Sequence, residues 1–115
     1  MIRLLVLHYP RPDLPVAKAL FEAALDCTFQ QERHLDESTH YWHADLPDGC
    51  AIELWPASAV RPCSRVQLAF TVTDLDAADE RLTDAGFEVR RLAATALLLD
   101  PSGNHVALMG RSDVP

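Results

Sequence analysis

The chain repeats one pattern twice, and this duplication constrains the fold more than any other feature of its 115 residues. In the first copy the short apolar run Leu5-Val6-Leu7-His8-Tyr9 leads, after Pro10-Arg11-Pro12, to Asp13-Leu14. In the second, Val66-Gln67-Leu68-Ala69-Phe70-Thr71-Val72 alternates with period two and leads to Asp74-Leu75. Both runs read as strands. Each Asp-Leu then opens a helix, with Asp13 and Asp74 as expected N-caps whose carboxylates accept from first-turn N–H groups. Leu14, Ala17, Leu20, Phe21, Ala24 and Leu25 line one face of the first helix; Leu75, Ala78, Leu82 and Ala85 line the second. Asp76, Asp79 and Glu80 suit the positive end of the second helix dipole. Gly86 is the expected left-handed stop.

Three short strands follow each helix, at residues 28–33, 40–45 and 51–55 and at 87–90, 95–99 and 105–109. The turns Leu46-Pro47-Asp48-Gly49 and Asp100-Pro101-Ser102-Gly103-Asn104 precede the last strand of each set. Segment 57–61, between Pro56 and Pro62, is a short stiff link. The pattern predicts an α+β fold of two βαβββ modules, 1–60 and 61–115, with a frayed tail at 111–115.

Composition narrows the partners. Ten basic against seventeen acidic residues leave a formal net charge of −7, which disfavours phosphate backbones and anionic membranes. A neutral or cationic small molecule fits better. No apolar run approaches the roughly 18 residues that span a bilayer, and Leu4 to Leu7 is too short for a signal-peptide core, so a cytosolic location is expected. Cys27, Cys50 and Cys63 are odd in number with no C-x-x-C pair, and read as reduced thiols. Nine arginines against the single Lys18, with abundant Ala, Leu and Asp, suggest a bacterial gene of high G+C content.

Asp74-Leu75, Ala85-Gly86-Phe87 and the run Asp100-Pro101-Ser102-Gly103-Asn104-His105-Val106-Ala107-Leu108 resemble the glyoxalase/bleomycin-resistance/extradiol-dioxygenase (vicinal oxygen chelate) superfamily. Asp13-Leu14, Leu20-Phe21 and Pro47-Asp48-Gly49 through Ile52-Glu53-Leu54 carry a blurred copy. The resemblance implies a curved, cup-shaped mixed sheet with helices outside, and a homodimer. In enzymatic members it implies a divalent metal held by His or Gln on the first strand and Glu on the last strand of each module. Glu53 and Gln67 match such positions. Ala107 does not, and neither does Val6, reached by keeping the spacing to Asp13. His8 and His105 share strand faces with Val6 and Ala107, so Glu53, Gln67, His8 and His105 form an alternative hard set for Zn, Mn, Ni or Fe. That set requires a shift of about 6–7 Å along a strand, several times a metal–ligand bond. His40 and His43, three apart on a strand, point to opposite faces and cannot chelate together.

Without a metal, the cup remains. Its inward set is Ala51, Glu53 and Trp55 on one strand, with either His40, Trp42 and Ala44 or Tyr41, His43 and Asp45 on the next. Val6, His8, Gln67, Ala69, Thr71, His105, Ala107 and Met109 complete it. Trp42 and Trp55 offer flat faces for planar rings and cations. A buried Glu53 needs a cationic or hydrogen-bonding partner. The expected ligand-binding residues are thus Trp42, Trp55, Glu53, His8, Gln67, His105 and Met109. The resemblance then points to a metal-independent protein of the bleomycin-resistance type with no cofactor, sequestering a planar aromatic or cationic molecule such as an antibiotic or natural product, in self-resistance or carriage. The alternatives are a divalent-metal-dependent lyase, isomerase or dioxygenase with Glu53 as ligand or base, and a metal-free enzyme using Glu53 or His8 as proton shuttle.

Overall fold

A computed structural model describes residues 1–34 and 39–111. Residues 112–115, most of the tail expected to fray, lie outside the described residues. The elements are β1 (Leu4–Tyr9), a 3-10 turn (Arg11–Asp13), α1 (Leu14–Leu25), β2 (Gln30–Arg33), β3 (His40–Asp45), β4 (Ala51–Pro56), β5 (Gln67–Val72), α2 (Leu75–Asp84), β6 (Arg90–Leu92), β7 (Thr95–Leu99) and β8 (His105–Gly110). The β-α-β-β-β pattern therefore occurs twice. The strands form two four-stranded mixed sheets, ordered β1-β4-β3-β2 and β5-β8-β7-β6, one from each half, in the expected α+β architecture. β1 pairs parallel with β4 and β5 with β8, while the remaining pairs are antiparallel. A helix in each crossover makes the parallel pairing possible.

The apolar stripe of α1 buries Leu14, Ala17, Leu20, Phe21 and Ala24 as its spacing predicts, and α2 buries Leu75, Ala78 and Leu82. Ala85 differs: it is exposed, one residue past the helix end. These stripes join Leu7 and Tyr9 of β1, Ile52 and Leu54 of β4, and Val106 and Leu108 of β8 in one buried core. The helices also bind each other's halves. Arg81 Nε donates to the Ala23 carbonyl at 2.7 Å, and Phe21 meets Phe70 edge-on with centroids 6.2 Å apart.

The two expected N-caps part company. Asp74 is extended and accepts from the Ala77 N–H at 3.0 Å. Asp13 caps nothing through its side chain. It ends the 3-10 turn in helical conformation (φ −90°, ψ −12°), and Pro15 at the second helical position has no N–H to offer. Strand β6 begins at Arg90, where 87–90 was expected. Gly86 takes φ +92°, the Phe87 N–H closes onto the Leu82 carbonyl at 2.9 Å, and Phe87 and Val89 pack against the core before pairing begins. Likewise β2 begins at Gln30, because Phe29 is buried in the core.

A buried polar network locks β1 to the second half. Asp100 Oδ1 accepts from the N–H groups of Ser102 (2.9 Å) and Asn104 (2.8 Å). Its Oδ2 accepts from Tyr9 Oη (2.7 Å) and Asn104 Nδ2 (2.9 Å). Asn104 reaches on to the Val66 N–H and the Ser64 carbonyl, and Ser64 exchanges two hydrogen bonds with the His8 backbone. Asp100 and Asn104 are the two buried polar residues among those described, and each is fully engaged.

Removing the Asp100 carboxylate strands three buried donors and the half-buried Ser102 N–H. Asp100→Ala is expected to lower stability by about 3–5 kcal/mol, and Tyr9→Phe by about 1–2 kcal/mol. Urea unfolding checks both; equal small losses would show that the donors find other partners.

Candidate functional site

Strand alternation divides each sheet into a helix-covered face and an open one. On the first sheet the covered face carries Leu7, Tyr9, Ile52, Leu54 and Ala44. The open face carries Val6 and His8 of β1, Ala51, Glu53 and Trp55 of β4, Tyr41 and His43 of β3, and Gln30 and Glu32 of β2. The second of the two expected β3 sets is therefore the one that lines this face. Trp42 belongs to the other side: it pairs with Leu54, packs against the core, and lies under Lys18 Nζ at 4.8 Å from its ring centroid. Trp42 and Trp55 do not share a surface, because β3 and β4 pair at Trp42↔Leu54 and not at Trp42↔Trp55.

The β3–turn–β4 hairpin places His43 directly opposite Glu53. His43 Nδ1 lies 2.8 Å from Glu53 Oε2, and its Nε2 lies 3.0 Å from Asp45 Oδ1. Trp55 Nε1 donates to Glu53 Oε1 at 3.0 Å. Tyr41 stacks on Trp55, with centroids 4.2 Å apart and planes 6° from parallel, and its hydroxyl donates to Glu32 Oε2 at 2.9 Å. The His34 ring meets Trp55 edge-on at 5.7 Å. The hydrogen bond to Glu53, reinforced by Asp45, raises the His43 pKa against the opposing effect of burial. Glu32, His43 and Asp45 also line a cleft of about 540 Å³ with Cys27 on its wall. Burial pushes the Cys27 thiol up to about 11, so it is no nucleophile near neutral pH.

The other expected residues are divided between the sheets. His8 lies beside Trp55 on the open face, as the parallel register pairs them. Gln67, His105 and Met109 lie on the second sheet, with Gln67 opposite His105 and Thr71 opposite Met109. Among the described residues, the group of His, Cys, Asp and Glu side chains near enough to share an ion is Glu32, His43 and Glu53. It contains neither His8 nor His105, so the alternative four-residue set does not assemble there. Val6 is also not the register equivalent of Gln67. Four residues, 10–13, separate β1 from α1, whereas two, 73–74, separate β5 from α2. Counting back from each Asp-Leu therefore lands two residues apart in strand register: Leu4↔Ala51 corresponds to Gln67↔His105. Leu4 is no metal ligand either, and Ala107 offers no donor. The superfamily's ligand set does not fit these residues. His43 and Glu32 were missed as site residues. The signal was the five-residue connection, 46–50, between Asp45 and Ala51, which fixes His43 opposite Glu53.

No family model and no curated protein matches the sequence. Solved structures do match. A glyoxylase/bleomycin resistance protein/dioxygenase domain from Frankia sp. EAN1pec is 22% identical, covering 96% of this chain and 98% of its own, with TM-score 0.67. TnmS3, an antibiotic binding protein from Streptomyces sp. CB03234, is 18% identical, covering 97% and 96%, with TM-score 0.70. A Glu-to-Gln mutant of the fosfomycin resistance protein FosX from Listeria monocytogenes, complexed with Mn(II) and a dihydroxypropylphosphonic acid, is 13% identical, covering 98% and 93%, with TM-score 0.68. The fold is the one seen in these glyoxalase/bleomycin-resistance/dioxygenase-type structures. No helix among the described residues is long and apolar enough to cross a membrane.

His8 provides a pH test of the open face. Its Nε2 is buried without a hydrogen-bond partner, and burial, with Arg61 adding repulsion, lowers its pKa below 6.5. A lowered histidine pKa means that the unfolded chain takes up the proton first. The His8 contribution to stability is therefore intact above about pH 6.5 and is lost as pH falls toward the folded-state pKa. Replacing His8 with Gln is expected to remove that part of the acid-side loss. Urea midpoints of both proteins from pH 7.5 to 5 check this, and parallel curves would contradict it.

Proposed function

We propose that this protein is a small-molecule binding protein that sequesters a planar aromatic ligand, such as an antibiotic or natural product, on the open face of its first sheet. The observation that carries this reading is the half-exposed Tyr41–Trp55 stack beside the Glu53 carboxylate. Two near-parallel rings form a platform on which a third can stack, worth about 0.5–1.5 kcal/mol beyond area burial. Glu53, oriented by Trp55 and His43, gives the platform a negative polar end for a cationic or hydrogen-bonding group. The fold it shares with an antibiotic binding protein supports the same reading.

Such binding does not call on the superfamily's ion, because Leu4, Val6 and Ala107 at the corresponding positions carry no donor atoms. The alternative enzyme reading through that ion loses support for the same reason. We read residues 1–60 and 61–115 as two modules of a cytoplasmic homodimer. In that arrangement a second copy brings its own second sheet, with Gln67, His105 and Met109, over the first. The open face of the second sheet suits a covered position: Leu92, Leu99 and Met109 on it are 47%, 56% and 41% exposed.

Tryptophan fluorescence tests the reading with a panel of planar aromatic natural products. Quenching is expected, and Trp55→Ala is expected to weaken binding at least tenfold, about 1.4 kcal/mol. Tyr41→Ala is expected to follow it. Trp42→Phe, on the opposite face, is expected to leave affinity unchanged. Quenching that survives Trp55→Ala but not Trp42→Phe would overturn the assignment.

A further inference from the structure

His43 is held between two carboxylates, with both ring nitrogens within 3.0 Å of an acidic oxygen. A neutral imidazole has one N–H, so it can donate to only one of them. Its other nitrogen then points a lone pair at a carboxylate oxygen, and that contact calls for a positive centre between the two atoms, either a second ring proton or a metal ion. A third carboxylate stands close: one ligand atom each of Glu32, His43 and Glu53 falls within 4.8 Å of the others. No lysine or arginine among the described residues forms an ion pair with Glu32, Asp45 or Glu53; their partners are Glu22, Asp76 and Asp79.

The three side chains are also pre-oriented. Trp55 Nε1 holds one oxygen of Glu53, the Tyr41 hydroxyl holds one oxygen of Glu32, and Asp45 holds one nitrogen of His43. Each residue has one further donor atom, and those of His43 and Glu53 face each other at 2.8 Å. A carboxylate on the second ring nitrogen is the arrangement that fixes the tautomer of metal-ligating histidines. The side chains of His43 and Glu53 are 23% and 13% exposed and Glu32 is exposed, so the group can be reached from solvent.

We propose that Glu32, His43 and Glu53 bind a divalent transition-metal ion at the β2–β3–β4 surface, with Asp45 as the outer partner of His43. One nitrogen and two carboxylates form a borderline-hard set suited to Zn²⁺, which takes three protein ligands and keeps a fourth position for water. Tetrahedral ligands about 2.0–2.2 Å from zinc stand about 3.4 Å from one another, so an ion requires the His43–Glu53 contact to open from 2.8 Å while Glu32 draws in from within 4.8 Å. All three ligands come from one sheet, unlike the set implied by the superfamily. The site goes beyond the aromatic platform, which holds its planar ligand with or without the ion.

Zn²⁺ itself is the probe. The full chain is stripped with chelator, incubated with Zn²⁺, desalted and assayed for metal, with Co²⁺ absorption as a second readout. About one Zn²⁺ per chain is expected. Glu32→Gln and His43→Gln are each expected to weaken Zn²⁺ binding at least tenfold and to abolish the Co²⁺ band, and Asp45→Asn to weaken it by about 10–100-fold. Glu32 is exposed, so its variant keeps the test valid if the His43 variant fails to fold. No retained Zn²⁺ would overturn the proposal and leave His43 as an imidazolium. Equal retention by the folded Glu32→Gln variant would also overturn it.

Discussion

The buried Asp100 carboxylate is the constraint on which the two halves depend. It accepts four hydrogen bonds, one of them from Tyr9, ninety-one residues earlier in the chain. An ionised carboxylate is costly to bury unless each lone pair finds a donor. Here the turn that creates the carboxylate also supplies three of the donors, through Ser102 and Asn104. The fourth ties the end of β1, a strand of the first sheet, to the turn between β7 and β8. Since His8 adjoins Tyr9 in that strand, the position of the open-face histidine follows from a contact made on the covered face. Burial and the Asp100 hydrogen bond keep the Tyr9 phenol protonated, so the link is insensitive to pH over the physiological range.

The first sheet collects functional chemistry because one hairpin aligns it. With Asp45 opposite Ala51, each step back along β3 meets a step forward along β4. This sets His43 against Glu53 and Tyr41 near Trp55. The rungs toward β2 add Glu32 opposite Tyr41. An aromatic stack and three acidic side chains around one imidazole thus share a patch that no core packing requires. The equivalent patch on the second sheet carries Thr95, Leu97, Ala107 and Met109. The backbone pattern is the same in both halves, while among the described strand residues only the first half carries acidic and aromatic side chains on its open face; the second carries Arg90 and His105 there.

Much of this was legible in the sequence. The apolar stripes of both helices, the left-handed Gly86 and the cap at Asp74 follow from local rules, and local structure obeyed them. Glu53 and Trp55 emerged as neighbours because alternation along one strand is a local property. Asp13 misled twice. Proline at 15 withholds the N–H that a cap needs, and the 3-10 turn before Asp13 adds two residues that a count from Asp-Leu cannot see. Trp42 misled because two strand faces were equally consistent with its neighbours, and only pairing with Leu54 chose between them.

What the sequence determined by itself is therefore the order of elements, the duplication and the face on which each strand's own alternate residues stand together. These depend on torsional preferences and on spacings of two and 3.6 residues, which are written within a few positions of one another. The tertiary structure decided which faces meet: Tyr9 with Asp100, His43 with Glu53 and Asp45, and Gln67 with His105 on a separate sheet. Those pairings depend on strand register and on satisfying buried polar atoms across the whole chain. A two-residue change in one connection resets register without disturbing any local pattern.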